Sequence, residues 1–132
     1  MSLVLADGIF DLLHVGHIRH LEEARSFGDR LVVGLTMDKV AEREKRRPVI
    51  SEHERMEMLL ALSCVSNVML VESGVEALQR LKPQIFCKGH DYKLKGLLPA
   101  EVNYCKVHGI DIRFTKPNPQ TTTSIIERIK KG

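Results

Sequence analysis

Short apolar runs alternate along the chain with stretches in which apolar residues recur every three or four positions. Leu3–Ala6, Leu31–Leu35, Val68–Val71, Ile85–Cys87 and Ile110–Phe114 read as strands, too apolar and too regularly separated to be hairpin partners. Between the first two, Ile18, Leu21, Ala24 and Phe27 fall at helical spacing, and Gly28 stops that helix. Ser51 followed by Glu54 is a capping-box pattern; it opens a helix with Met56, Leu59, Leu60 and Leu62 or Ser63 on its inner side. Further helices are predicted over about Val75–Leu81 and Pro99–His108, ending at Pro83 and Gly109. A last one runs from about Thr123 to Lys131, with Ile125, Ile126 and Ile129 at helical spacing and basic residues in its final turn, where they oppose the helix dipole.

This alternation predicts one α/β domain over residues 1–132, with a parallel sheet of about five strands, right-handed crossovers and helices on both faces. In such sheets the ligand crevice lies beyond the carboxyl ends of the strands, at the topological switch point. Chemistry is therefore sought in the turns that leave the strands.

Composition narrows the classes. A chain of 132 residues suits one self-sufficient core, and 28% charged residues with ordinary hydrophobicity exclude a disordered chain. No apolar run approaches the ~20 residues of a membrane span, and the N-terminus lacks the features of a signal peptide. A soluble cytoplasmic protein without a membrane partner is expected. Cys64, Cys87 and Cys105 are odd in number and form no C-x-x-C pair, so buried thiols are expected rather than a disulfide framework or thiolate metal site. The net charge of +3 is too mild to identify a nucleic-acid binder, and no nucleic-acid partner is expected. Its distribution is uneven, with Lys39, Arg43, Lys45, Arg46 and Arg47 close together.

The first strand runs into Asp7-Gly8-Ile9-Phe10-Asp11-Leu12-Leu13-His14-Val15-Gly16-His17. If the helix begins near Leu13, His14 and His17 project from one face of its first turn. Gly8 and Gly16 let a group such as phosphate approach the backbone, and the helix N-terminus completes an anion site. Two histidines at this spacing could bind a metal, but no third ligand stands at a typical short distance, so no protein metal site is expected. Phe10, Leu12 and Leu13 read as core. Asp11 reads as a turn or N-cap residue, or as a group that orients an imidazole or meets a metal–nucleotide complex.

The segment from Gly8 to His17, G-x-F-D-x-L-H-x-G-H, resembles the signature of the cytidylyltransferase-like family of nucleotidyltransferases. The resemblance implies a Rossmann-like domain that transfers CMP or AMP from CTP or ATP to a small phosphorylated acceptor and releases pyrophosphate. The acceptor phosphate attacks the α-phosphorus in line, so the protein mainly positions reactants and neutralises charge. His14 and His17 are then the transition-state donors, and Gly8, Ile9, Phe10, Asp11 and Gly16 line the nucleotide.

Other segments follow in the family's order. Asp38 matches the Asp of its turn after the second strand, and Lys45-Arg46-Arg47-Pro48-Val49 resembles its basic loop. The resemblance gives Lys45 and Arg46 to the β- and γ-phosphates, and Arg55 to the triphosphate or its leaving group. Lys88-Gly89-His90-Asp91-Tyr92 resembles the K-G-G-D-Y of the heptose 1-phosphate adenylyltransferase domain, with His90 in place of Gly; it implies that Lys88, Gly89 and Asp91 lie near the nucleoside or acceptor. Thr121, Thr122 and Thr123 match the S-T-T motif whose hydroxyls hold phosphate, and Lys116 stands where glycerol-3-phosphate cytidylyltransferases carry Arg.

Magnesium is implied with the nucleotide, and a homodimer is a family-based expectation. The first motif favours the glycerol-3-phosphate cytidylyltransferase type, whereas R-P-V-I-S and K-G-H-D-Y favour the heptose-phosphate adenylyltransferase type. An FAD synthetase-type adenylyltransferase and a non-catalytic nucleotide-binding module are the alternatives.

Overall fold

Each of the five apolar runs forms a strand: β1 (Leu3–Gly8), β2 (Arg30–Thr36), β3 (Asn67–Val71), β4 (Ile85–Lys88) and β5 (Asp111–Phe114). The computed structural model describes residues 2–45 and 50–117, the side chains of 42–45 excepted. The strands make one all-parallel sheet in the order β3-β2-β1-β4-β5. Leu5, at the centre of β1, pairs with Val32 on one side and Phe86 on the other. The chain builds outward through β2 and β3, then crosses to β4 and β5. The switch point is therefore the crevice at the carboxyl ends of β1 and β4.

Six described helices connect the strands: α1 (Val15–Ser26), α2 (Asp38–Lys45), α3 (Glu52–Leu60), α4 (Gly74–Leu81), α5 (His90–Lys95) and α6 (Pro99–His108). Period-two alternation along the strands feeds two cores. Val4 and Ala6 of β1 join Leu31, Val33 and Leu35 of β2 against Leu21 and Ala24 of α1 and Leu59 of α3. On the opposite face Leu5 and Phe86 pack with Ala77 and Leu78 of α4 and Cys105 of α6. Each large apolar side chain buried this way contributes about 1.5–3 kcal/mol, which fixes the helices to their faces.

Local chemistry sets the boundaries. Ser51 and Ser73 cap α3 and α4, their Oγ atoms accepting from the Glu54 and Glu76 N–H groups. Gly109 ends α6 in the left-handed region, whereas α4 ends on left-handed Lys82, one residue before Pro83. Leu60, expected on the inner side of α3, is exposed, because Arg55 and Leu59 take the buried positions. The helices α2 and α5 were not foreseen: α2 buries Val40 and Ala41, and α5 buries nothing. Burial pushes the Cys87 and Cys105 thiols up to about 12 and about 11, which leaves them unreactive. No described helix is long and apolar enough to cross a membrane.

Candidate active site

Beyond β1 the chain passes through a strained turn. Phe10 and Leu12 hold left-handed backbone at φ 51 and φ 50, a conformation that costs a non-glycine residue on the order of 1 kcal/mol. The turn is kept by packing. The Phe10 ring folds back over Gly8, where an added Cβ would lie 2.9 Å from its Cε2, and meets the His17 ring edge-on at 5.5 Å. Gly8 is thus needed to seat Phe10, a nearer reason than the approach of a ligand.

The helix α1 begins at Val15, not near Leu13, and His14 is its N-cap with extended backbone. His14 Nδ1 accepts from the Gly16 N–H at 3.0 Å, and His17 Nδ1 accepts from the His14 N–H at 3.2 Å. This is a capping box built from two imidazoles in place of Ser and Glu. The rings lie 3.9 Å apart between centroids, tilted by 31°.

These bonds decide the protonation chemistry. Burial lowers the His14 pKa; burial, then the neighbouring His14 and His20, lower that of His17 to about 4. Both rings are therefore neutral at pH 7. Since each Nδ1 accepts a backbone hydrogen, each ring carries its own hydrogen on Nε2. His14 Nε2 is buried and has no partner among the described residues. A buried N–H left unpaired costs about 1–3 kcal/mol, a cost that an oxyanion at this helix N-terminus would remove.

Arg55, expected at the triphosphate or its leaving group, lies in the frame of the site. It is 1% exposed, and its guanidinium donates to three protein acceptors: Nε to Ile50 O at 3.1 Å, Nη1 to Ile9 O at 2.6 Å and Nη2 to Asp38 Oδ1 at 2.6 Å. It clamps the turn after β1 to the segment that opens α3. Asp38 and Asp11, expected at the nucleotide, serve the same frame. Asp38 Oδ2 accepts from the Glu52 N–H while Glu52 Oε1 accepts from the Asp38 N–H. Asp11 is buried, and its Oδ1 holds the N–H of Ile50, the first described residue after the basic run.

The β4 side of the switch point is charged. Lys88, 6% exposed at the end of β4, donates from Nζ to Asp7 Oδ1 at 2.7 Å and lies 4.3 Å from the Tyr92 ring centroid. Buried Glu101 of α6 completes the group: its Oε2, with Asp7 Oδ2, occupies the place where a Cβ on Gly74 would stand. Desolvation disfavours the Lys88 ammonium, but Asp7 and Glu101 outweigh it and raise the pKa. Desolvation also raises the Glu101 pKa, against the pull of Lys88. Lys88, expected near the nucleoside or acceptor, thus has Asp7 as its partner within the protein. Gly89 is the N-cap of α5, with Asp91 exposed in its first turn.

Gly16 is buried in the first turn of α1, its N–H taken by His14. The Ile9 carbonyl is committed to Arg55. Lys116 is exposed just beyond β5. The Lys45 side chain, Arg46, Thr121, Thr122 and Thr123 lie outside the described residues. Asp7, Glu101 and His20 were missed. Of these only His20 had a signal, three residues beyond His17 on the same helix.

At the switch point of this parallel α/β sheet two imidazoles with Nε2–H donors stand at a helix N-terminus, an arrangement whose chemistry suits an anion such as phosphate. The chain belongs to the cytidylyltransferase-like family, whose model matches residues 5–128. It is 40% identical over 134 residues to the bifunctional protein HldE of Geotalea uraniireducens (strain Rf4) and 38% identical over 134 residues to that of Helicobacter pylori (strain HPAG1), each match covering 98% of this chain. The chain spans about a quarter of the length of these curated relatives, 27% and 28%. Among solved structures, the lipopolysaccharide core biosynthesis protein from Thermoplasma volcanium is 31% identical with a TM-score of 0.75, covering 89% of this chain and 99% of that one. Pantothenate synthetase from Thermus thermophilus, 15% identical with a TM-score of 0.59 over 87% of this chain and 55% of that one, shares the fold.

Proposed function

We propose that the protein transfers AMP from ATP to a small sugar phosphate of the heptose-phosphate type and releases pyrophosphate. The observation that carries this reading is the pair of neutral imidazoles with Nε2–H donors, one of them buried without a partner. An acceptor phosphate oxygen bonds to the α-phosphorus as the bond to the bridging oxygen of pyrophosphate breaks. His14 and His17 donate to oxygens on which negative charge accumulates, and the dipole of α1 adds to them. Being neutral, they give up no proton, and the dianionic acceptor phosphate needs no general base.

Adenylyl transfer to a sugar phosphate is supported by the HldE relatives, by the similarity to a lipopolysaccharide core biosynthesis protein and by Lys88-Gly89-His90-Asp91-Tyr92. The segment from Gly8 to His17 favours the second reading, CMP transfer to a polyol phosphate such as glycerol 3-phosphate. Magnesium bound to the nucleotide would neutralise triphosphate charge. The hydrogen-donating histidine pair suits the anion rather than the cation, and no described group of three His, Cys, Asp or Glu side chains is placed to hold an ion. Phosphate and water ligands meet that need.

The test is pyrophosphate release with ATP or CTP, magnesium and a panel of sugar and polyol phosphates. Release with ATP and a heptose phosphate is expected. Preference for CTP and glycerol 3-phosphate would establish the second reading, and tight nucleotide binding without release would indicate a binding module.

A further inference from the structure

His20, three residues beyond His17 on α1, bears on the chemistry above only as one of the groups that lower the His17 pKa. Its Nδ1 is 2.7 Å from Thr115 Oγ1. Thr115 is buried directly after β5, and its N–H donates to Lys88 O at 3.0 Å, extending the β4–β5 ladder by one bond. One residue on, the Lys116 N–H donates to Glu23 Oε1 at 3.0 Å. Two side chains of α1, three residues apart and so on one face, therefore hold two consecutive residues of the segment leaving β5.

The geometry points to His20 as a positioning residue: through Thr115, and with Glu23, it registers Lys116 against the helix that presents His14 and His17. β5 is an edge strand of four residues. Past Phe114 the ladder gives only the Thr115 bond, so placement of the next residue depends on α1. Burial lowers the His20 pKa first of all, which keeps the ring neutral and free to share one hydrogen with the Thr115 hydroxyl. Lys116 is exposed and acts as a point charge, whose pull on a phosphate depends on where its backbone is fixed. This role rests on the proposed nucleotidyl transfer, with Lys116 meeting the nucleotide.

Thr115→Val removes the hydroxyl and keeps the branched shape, His20→Leu removes the ring nitrogen, and His20→Asn puts an amide near the place of Nδ1. Loss of one such bond predicts a nucleotide KM about three- to tenfold higher in Thr115→Val and His20→Leu, with kcat within about twofold. The double variant is no worse than the weaker single one, and His20→Asn returns most of the loss. Hydrogen exchange at the Lys116 amide quickens in step with KM. In a Lys116→Ala background, His20→Leu adds nothing further. An undiminished His20→Leu effect in that background, or an unchanged KM while the Lys116 amide exchanges faster, overturns the positioning role alone. Wild-type protein that releases no pyrophosphate with any nucleotide overturns the reading of the function, and this role with it.

Discussion

His17 and Lys88 stand on either side of the switch point, and their surroundings push their proton equilibria in opposite directions. On the α1 side, burial and neighbouring imidazoles lower the His17 pKa to about 4, so the ring donates a hydrogen without carrying charge. On the β4 side, Asp7 and Glu101 overcome the cost of burial and keep Lys88 an ammonium. A neutral donor with an open Nε2–H is ready for an oxyanion. A cation already bonded to a carboxylate at 2.7 Å must exchange partners before it can hold one. On the proposed function, the difference gives the phosphate chemistry to the histidine wall and the less charged part of the ligands to the lysine wall.

The largest effect is expected beneath the histidine wall. Arg55→Met leaves Asp38 without its ion pair and two carbonyls without a donor, and should lower stability by about 3–5 kcal/mol in urea unfolding. Arg55→Lys should not restore it, since one ammonium cannot span the three acceptors of the fork. A loss under about 1 kcal/mol would contradict the clamp. Next comes the donor pair itself. His17→Gln keeps a capping-box residue at the third helical position but misplaces the donor, so kcat for pyrophosphate release should fall on the order of a hundred- to a thousandfold with little change in melting temperature. Retention of kcat within threefold would remove His17 from the reaction. His17→Ala is the poorer probe, because it also deletes a cap worth about 1 kcal/mol.

The proton equilibria give two smaller effects. Between pH 6.5 and about 4 the unfolded chain binds a proton at His17 that the folded chain does not. Stability should therefore fall with pH across that window, by up to about 3 kcal/mol from this group, and His17→Gln should flatten the slope. Lys88→Met leaves the Asp7 carboxylate without its donor, with Glu101 beside it, and should cost about 1–3 kcal/mol at pH 7. Glu101, raised by burial, gains a proton more readily once Lys88 is gone, so that variant should recover stability relative to wild type as pH is lowered toward 5. Urea titrations at the two pH values check both.

What could be read in the sequence follows from what is local. The strands and the helices α1, α3, α4 and α6 announced themselves through apolar period and caps, because burial on a sheet face imposes that period. The helix α5 buries no side chain, and so gave no apolar pattern. His14 and His17 were legible as a pair, but the N-cap role of His14 and the choice of ring nitrogen emerge only from backbone geometry. An Arg near a helix start reads the same whether it clamps a loop or meets a ligand; Arg55 is decided by Ile9, Ile50 and Asp38, which lie 46, 5 and 17 residues away. Glu101 had no signal, because its burial depends on the missing side chain of Gly74 in another helix.

The central claim is that His14 and His17 are neutral donors whose hydrogens sit on Nε2 because both Nδ1 atoms cap α1. Imidazole nitrogen NMR across a pH titration tests it directly. The expected result is the Nε2–H tautomer for both rings at pH 7, with His17 neutral until about pH 4. A His17 that titrates near 6.5, or either ring carrying its hydrogen on Nδ1, would contradict it.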